Sequence, residues 1–132
     1  MSLTIEELIE NFSLLDDWED KYRYLLDLGK TLPNMDDSDK NKENKVEGCL
    51  SQVWMKCFVS ENEVFHFKAD SDGQIVRGLL AVLQIMFEGK TLSELKKVNV
   101  THVFSELGLE DHLSPNRRNG FYAMVQRIQE FC

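Results

Sequence analysis

The sequence predicts an α+β fold in one domain, on three observations. Helical apolar spacings occupy both ends of the chain, a pair of period-two apolar runs lies between them, and 132 residues with 42 % apolar content suit a single core. A chain of this size can bury about two thirds of its unfolded surface. Its 15 Lys and Arg against 23 Asp and Glu leave a net charge of −8, which repels phosphate backbones and anionic lipid headgroups. Neither a nucleic-acid nor a membrane partner is therefore expected. Residues 1–10 carry Glu6 and Glu7 where a secretory signal needs basic residues and an apolar run, so a cytoplasmic address is expected. The longest apolar stretch, residues 75–87, is shorter than the ~20 residues of a spanning helix and contains Arg77 and Gln84. It reads as a core helix.

Thr4 followed by Glu7 is a capping box, and Leu8, Ile9 and Phe12 are the apolar positions of the short opening helix it starts. Asp16 as N-cap with Glu19 at the third position opens a second helix. In it Trp18, Tyr22, Leu25, Leu26 and Leu28 recur at helical spacing until Gly29 permits a stop. Residues 34–45 contain one apolar side chain, Met35, and predict a solvated, mobile loop.

Val53, Met55, Cys57 and Val59 then alternate with Gln52, Trp54, Lys56 and Phe58, the pattern of a strand with one apolar face. After polar turn residues 60–63, Phe65, Phe67 and Ala69 alternate with Val64, His66 and Lys68, which predicts an antiparallel return. His66 falls on the polar face as a surface histidine, and Cys57 on the apolar face as a small core hydrophobe.

Asp70, Ser71 and Asp72 offer N-caps for a helix to about Glu88, stopped by Gly89, whose two adjoining apolar stripes imply burial on most sides. Gly78 and Ala81 would let another element approach closely. Thr91 with Glu94 is a second capping box, and Val103, Phe104 and Leu107 add a further short helix ending at Gly108. Ser114 as N-cap and Pro115 at the first position open the last helix, with Phe121, Met124, Val125, Ile128 and Phe131 as its apolar face. Arg117 lies four residues before Phe121, so it sits on that inward stripe in the first turn, where the macrodipole disfavours a cation. Two readings stand: a stem packed on the core with its head in water, or a charge required by a site.

Three cysteines, Cys49, Cys57 and Cys132, form no close pair, which argues against a disulfide framework, and their spacing does not fit a structural zinc site. A frayed terminal thiol is expected at Cys132. Cys49 is different. It follows Gly48, which permits a tight turn and leaves the backbone beside the thiol unshielded, at a bend ahead of the apolar strand. A nucleophile there needs thiolate character, because an ordinary thiol titrates at about 8.5. Ser51 and Gln52 are nearby donors, and Arg117 or Lys45 could supply positive charge.

These residues carry a resemblance. VEGCLSQVW at 46–54 resembles the V-x-G-C-x-S-x-V-W signature of the SufE family of sulfur acceptors, and three further blocks follow the same order. DWEDKY at 17–22 with LGKTLP at 28–33 is similar to the family's W-E-x-K-Y helix and its exit. DSDGQIVRGL at 70–79 is similar to D-S-D-A-x-I-V-x-G-L, with Gly73 for the usual alanine. HLSPNRRNG at 112–120 is similar to H-L-[ST]-P-S-R-x-N-G, with Asn116 for serine.

The resemblance implies an α+β fold of the SufE/IscU-like kind, a small three-stranded antiparallel sheet packed against several helices, with a short first strand through residues 45–47. It implies that Cys49 accepts a sulfane sulfur from the persulfide of a pyridoxal-phosphate-dependent cysteine desulfurase, SufS-like or CsdA-like. The carrier would also stimulate that enzyme and pass sulfur to an iron–sulfur cluster scaffold, without metal or organic cofactor of its own. Cys49 matches the acceptor cysteine, Asp72 and Arg117 match the family's Asp and Arg beside the acceptor loop, and Gly48, Leu50, Ser51, Gln52 and Trp54 complete that loop. Asp72 is divided between helix cap and site. The chemistry is thiol exchange, and Leu50 and Trp54 are candidates to shelter the carried sulfur. A sheltered thiol would react slowly with alkylating probes until a desulfurase docks.

Two other readings share the residues: a thiol hydrolase using Cys49, His112 and Asp72, or an interaction domain without thiol chemistry. A homodimer is compatible with the sequence.

Overall fold

A computed structural model of the chain describes residues 3–48, 51–109 and 111–131. Helix α1 (Ile5–Ser13) starts at the Thr4–Glu7 capping box, both hydrogen bonds of which are made. Helix α2 (Trp18–Gly29) starts one residue later than the sequence suggests. Asp17, not Asp16, adopts the extended cap conformation and accepts from the Asp20 N–H at 2.9 Å.

Strands β1 (Val53–Val59) and β2 (Phe65–Ser71) pair antiparallel, with Val53 opposite Ser71 and Val59 opposite Phe65. Helix α3 (Gln74–Phe87) follows, then α4 (Leu92–Leu95) on the Thr91–Glu94 capping box, α5 (Val100–Glu106), and α6 (Pro115–Phe131). Leu8, Phe12, Leu25, Met55, Phe65, Phe67, Leu80, Leu83, Phe104 and Phe121 are buried in one contiguous core between the helices and the inner face of the hairpin.

The sheet has two strands, not three. Where the resemblance implies a first strand, residues 44–46 make one bridge, Lys45 opposite Trp54, through Val46 N–H to Val53 O at 2.8 Å and Met55 N–H to Asn44 O at 2.7 Å. The segment is pinched between a turn at 42–44 and Gly48, whose φ of +92° belongs to the left-handed region, so pairing cannot extend. Its outward carbonyls, Glu43 and Lys45, are taken instead by the Arg127 guanidinium of α6. The other edge is closed in a similar way, by Phe65 N–H to Lys90 O at 2.8 Å and Gly89 N–H to Phe65 O at 2.9 Å. An edge covered by a side chain or a short segment offers no row of unpaired amides.

The 34–45 segment is tied down rather than left to solvent. Met35 is buried, Asp37–Asp39 form a 3-10 turn, and Lys40 reaches Asp70 on β2. Helices α2 and α3 cross at glycines: a Cβ on Gly78 would collide with the Leu25 carbonyl, and one on Gly29 would lie 3.0 Å from Gly78 N. The close approach expected at Gly78 is thus made by α2.

Candidate functional site

A cleft of about 390 Å³ opens between α3, the first turns of α6 and the start of β1. Val76, Leu79, Phe121 and Met124 supply apolar walls, and Ser51, Ser114, Asn116 and Arg117 supply polar groups. Local sequence explains this placement. Pro115 fixes the first helical φ, Ser114 Oγ accepts from Arg117 N–H at 3.3 Å, and the α6 stripe then runs Arg117, Phe121, Met124, each one turn from the next. Arg117 is exposed, so its charge stands over the apolar part of the cleft instead of being buried in it. The positive end of a 17-residue helix and this guanidinium make the cleft suited to an anion against an apolar wall.

Of the expected loop residues, Gly48 packs where a Cβ would lie 3.4 Å from Ala123 Cβ on α6, and Ser51 lines the cleft. Cys49 and Leu50 lie outside the described residues, as does Cys132. Gln52 is exposed and bound in both directions to Asp72: its N–H donates to Asp72 Oδ1 at 3.0 Å, and its carbonyl accepts from Asp72 N–H at 3.3 Å. Asp72 therefore does not cap α3. The cap position belongs to Gly73, which makes no side-chain cap and donates its N–H to Ser71 Oγ at 3.1 Å. Asp72 clamps the end of the loop instead.

Trp54 does not join the cleft. It sits on the opposite face of β1, half-buried, with Lys40 Nζ 5.8 Å from its ring centroid. Beside it Lys40 Nζ lies 3.0 Å from Asp70 Oδ2, and Arg77 Nε, which is buried without a hydrogen bond, lies 3.5 Å from Asp70 Oδ1. Burial alone would raise the Asp70 carboxyl, but the Lys40 hydrogen bond, the Ser71 N–H and the charges of Arg77 and Lys40 hold it below the usual value. Lys45 contributes its carbonyl to Arg127, and its side chain does not line the cleft. His112 stacks on Trp18, centroids 4.7 Å apart at 14°. Cys57 is half-buried against the core beside Met55 and Arg127. Among the described residues no group of three or more His, Cys, Asp and Glu could hold a metal, and no helix is long and apolar enough to cross a membrane.

Sequence reasoning did not find Asn116, Ser114 and the apolar wall as one surface, nor Arg127. The first could have been read from the α6 stripe on which Arg117 stands. Arg127 is more than 80 residues from the carbonyls it binds and leaves no local signal.

Fold and cleft together define a small α+β domain in which a short loop, anchored by Asp72, borders a basic, apolar-walled cleft at a helix start. The model of the SufE family, an Fe–S metabolism associated domain, matches residues 6–132. The chain is 44 % identical over 130 residues to an uncharacterized SufE-like protein of Rhizobium etli, covering 96 % of this chain and 88 % of that one. It is 45 % identical over 127 residues to the sulfur acceptor protein CsdE of Escherichia coli, covering 96 % and 86 %. The solution structure of a hypothetical protein from Thermus thermophilus superposes with a TM-score of 0.76 at 19 % identity, covering 96 % and 90 %, a likeness of fold. The chain belongs to the SufE family.

Proposed function

We propose that this protein is a sulfur acceptor and carrier in iron–sulfur metabolism, a transfer accessory rather than an enzyme with a turnover of its own, and that Cys49 carries the sulfur. The observation that supports it best is the placement of both ends of the 48–51 segment against α6: Gly48 at Ala123, and Ser51 in the cleft shared with Arg117. Family membership and the sulfur acceptor CsdE as a relative support the same reading.

The transfer is an exchange at sulfur. The Cys49 thiolate attacks the terminal sulfur of a persulfide on a cysteine desulfurase; the donor's S–S bond breaks, its cysteine leaves as thiolate, and a new S–S bond forms on Cys49 with no net oxidation. A scaffold thiolate later attacks that terminal sulfur in the same way. Arg117 and the α6 N-terminus favour the anionic persulfide, while Val76, Leu79, Phe121 and Met124 exclude water and small reductants. Asp72 acts on the loop, not on sulfur, by holding Gln52. The desulfurase is SufS-like or CsdA-like, is stimulated by the docked carrier, and the sulfur goes on to an iron–sulfur scaffold.

A hydrolase would need Cys49, His112 and Asp72 to converge, and His112 is committed to Trp18 while Asp72 is committed to Gln52. Incubation with a cysteine desulfurase and cysteine, followed by mass spectrometry, tests the proposal. A gain of about 32 mass units on Cys49 is expected, absent in Cys49→Ser. No gain, or a gain that persists in the serine variant, overturns it. An interaction domain without thiol chemistry would bind the desulfurase with Cys49→Ser and wild type alike and carry no sulfur in either.

A further inference from the structure

A groove of about 390 Å³ lies between the end of α1 and the exposed face of α2, and none of its lining residues belongs to the cleft at α6. Leu14, Leu15 and Tyr24 form its apolar part. The floor is fixed: the Tyr24 ring packs on Phe12, centroids 5.0 Å apart, and its hydroxyl accepts from Asn11 Nδ2 at 2.9 Å. Leu14 at the rim is 73 % exposed, more than any other large apolar side chain among the described residues.

The charge around this groove is lopsided. Residues 3–20 hold seven carboxylates and neither lysine nor arginine, so most of the chain's net charge of −8 gathers here. On the α2 wall, Asp20 is met by Arg23 at 4.0 Å and Asp27 by Lys30 at 3.7 Å. Glu6, Glu7, Glu10 and Asp16 are exposed and have no ion pair among the described residues. Glu7 and Glu10 stand one turn before Asn11 and Leu14 on the α1 wall, and Asp16 follows Leu15. Helix stability does not ask for Glu10. It lies one turn after Glu6, a repulsive spacing, and in the last turn of α1, where the macrodipole favours a cation.

We propose that this groove docks a basic segment of a partner protein, one aliphatic side chain entering beside Leu14 and Tyr24 while lysines or arginines meet Glu7, Glu10 and Asp16. The inference does not depend on the sulfur-transfer reading. Charge complementarity selects the occupant. A second copy meeting the groove through its own α1 would set carboxylates against carboxylates, and a nucleic acid or an anionic lipid is repelled. A bare cation would find the carboxylates but has no use for the apolar floor.

Amide chemical-shift mapping on the full chain tests this, with a ten-residue synthetic peptide carrying two lysines on each side of one leucine as probe. Shifts are expected at residues 7–16 and 20–27, with a Kd on the order of 10–100 µM that weakens with salt. A peptide with serine in place of the leucine should bind about fivefold more weakly. Glu10→Lys is the decisive variant, because it removes a charge the helix does not want. It should raise Tm by about 1–4 °C and weaken the leucine peptide about tenfold. Leu14→Ser should weaken it comparably, and Glu61→Lys, an exposed charge at the hairpin turn, less than about twofold. The proposal is overturned if the peptide leaves these amides unmoved, binds Glu10→Lys undiminished, or binds equally well without its leucine. It is equally overturned if Glu10→Lys loses stability, since Glu10 then serves the fold, or if light scattering shows the chain self-associating through these residues.

Discussion

The same substitution, glycine to alanine, should have opposite weight at Gly73 and Gly78, because an added Cβ meets different matter at each. At Gly78 it would run into the Leu25 carbonyl group, with Leu25 C at 2.9 Å and Leu25 Cβ at 3.2 Å, all fixed by helix α2. Overpacking of this kind costs about 1–3 kcal/mol or more, and the better helix propensity of alanine returns only about 1 kcal/mol. Because the contact is with fixed backbone, the cost lies at the top of that range, and a net loss of about 2 kcal/mol follows. A chain of this length has an unfolding entropy of roughly 0.28 kcal/mol/K, so Tm should fall by about 7 °C. At Gly73 the new Cβ would lie 2.7 Å from Ser51 Oγ, the end of a side chain that can rotate. The backbone there, φ −99° and ψ 129°, suits any residue. A gain of about 0.4–1 kcal/mol from the stiffer unfolded chain is set against the poorer N-cap of alanine, and Tm should stay within about 4 °C of wild type. Its effect should appear in the cleft instead, as a changed alkylation rate at Cys49 once Ser51 is displaced. Thermal melts of the two variants side by side decide the matter. Equal losses, or a larger loss at Gly73, would refute the reasoning from contact geometry.

Asp72→Ala removes the acceptor of the Gln52 N–H at an exposed site, costing about 0.5–1 kcal/mol, yet should speed iodoacetamide labelling of Cys49 by about threefold or more by loosening the loop end; an unchanged rate would remove Asp72 from the site. Arg127→Ala leaves the Glu43 and Lys45 carbonyls to water, costing about 1–2 kcal/mol, and hydrogen exchange at residues 44–46 should accelerate, with partial recovery in Arg127→Lys. Asp70, held below the ordinary carboxyl value by Lys40, Ser71 and Arg77 against the opposing effect of burial, contributes stability that is complete above that ordinary value and lost as pH falls through its lower folded value. Urea melts of wild type should therefore weaken below about pH 4 more steeply than those of Asp70→Asn.

Local chemistry was legible where a single segment contains both partners. Thr4 with Glu7, Thr91 with Glu94, and Ser114 before Pro115 each open a helix as their spacing predicts. The hairpin alternation also held over Val53, Met55, Phe65, Phe67 and Ala69, all buried. It lapses at Val59, 36 % exposed, the last residue of β1 before the turn. Where neighbouring residues offer equivalent chemistry, the sequence leaves a choice that tertiary contacts make. Asp16 and Asp17 compete for one cap, and the run from Asp70 to Asp72 offers three helix caps although β2 continues to Ser71 and Asp72 turns to Gln52. The third strand fails for a similar reason: pairing at residue 45 is compatible with the pattern, but Gly48 and Arg127 consume the geometry and the carbonyls it would need. Of the cleft residues, Arg117 is legible from helix physics, since a cation on an apolar stripe contradicts helix stability, and Ser51 from the motif; Cys49 is marked first by the bend at Gly48 and then by the motif.

On the proposed reading, the anchors set how sulfur can be delivered. Val46 is held by Val53 and Gln52 by Asp72, so the described hydrogen bonds anchor the chain on either side of residue 49 at positions 46 and 52. Residue 49 is three links from either anchor, and three extended residues span about 10 Å. A longer excursion must release Asp72 or the bridge at residues 44–46, which the Asp72→Ala and Arg127→Ala variants do separately. A carrier so short-tethered cannot present its thiol deep inside a distant enzyme by loop extension alone. The donor persulfide must come within that radius of the β1 start, which places the docking footprint of a desulfurase around the cleft mouth at Ser51, Asn116 and Arg117. If instead Asp72→Ala accepts sulfur no faster than wild type while its alkylation is accelerated, loop release is not the slow step, and docking alone governs transfer.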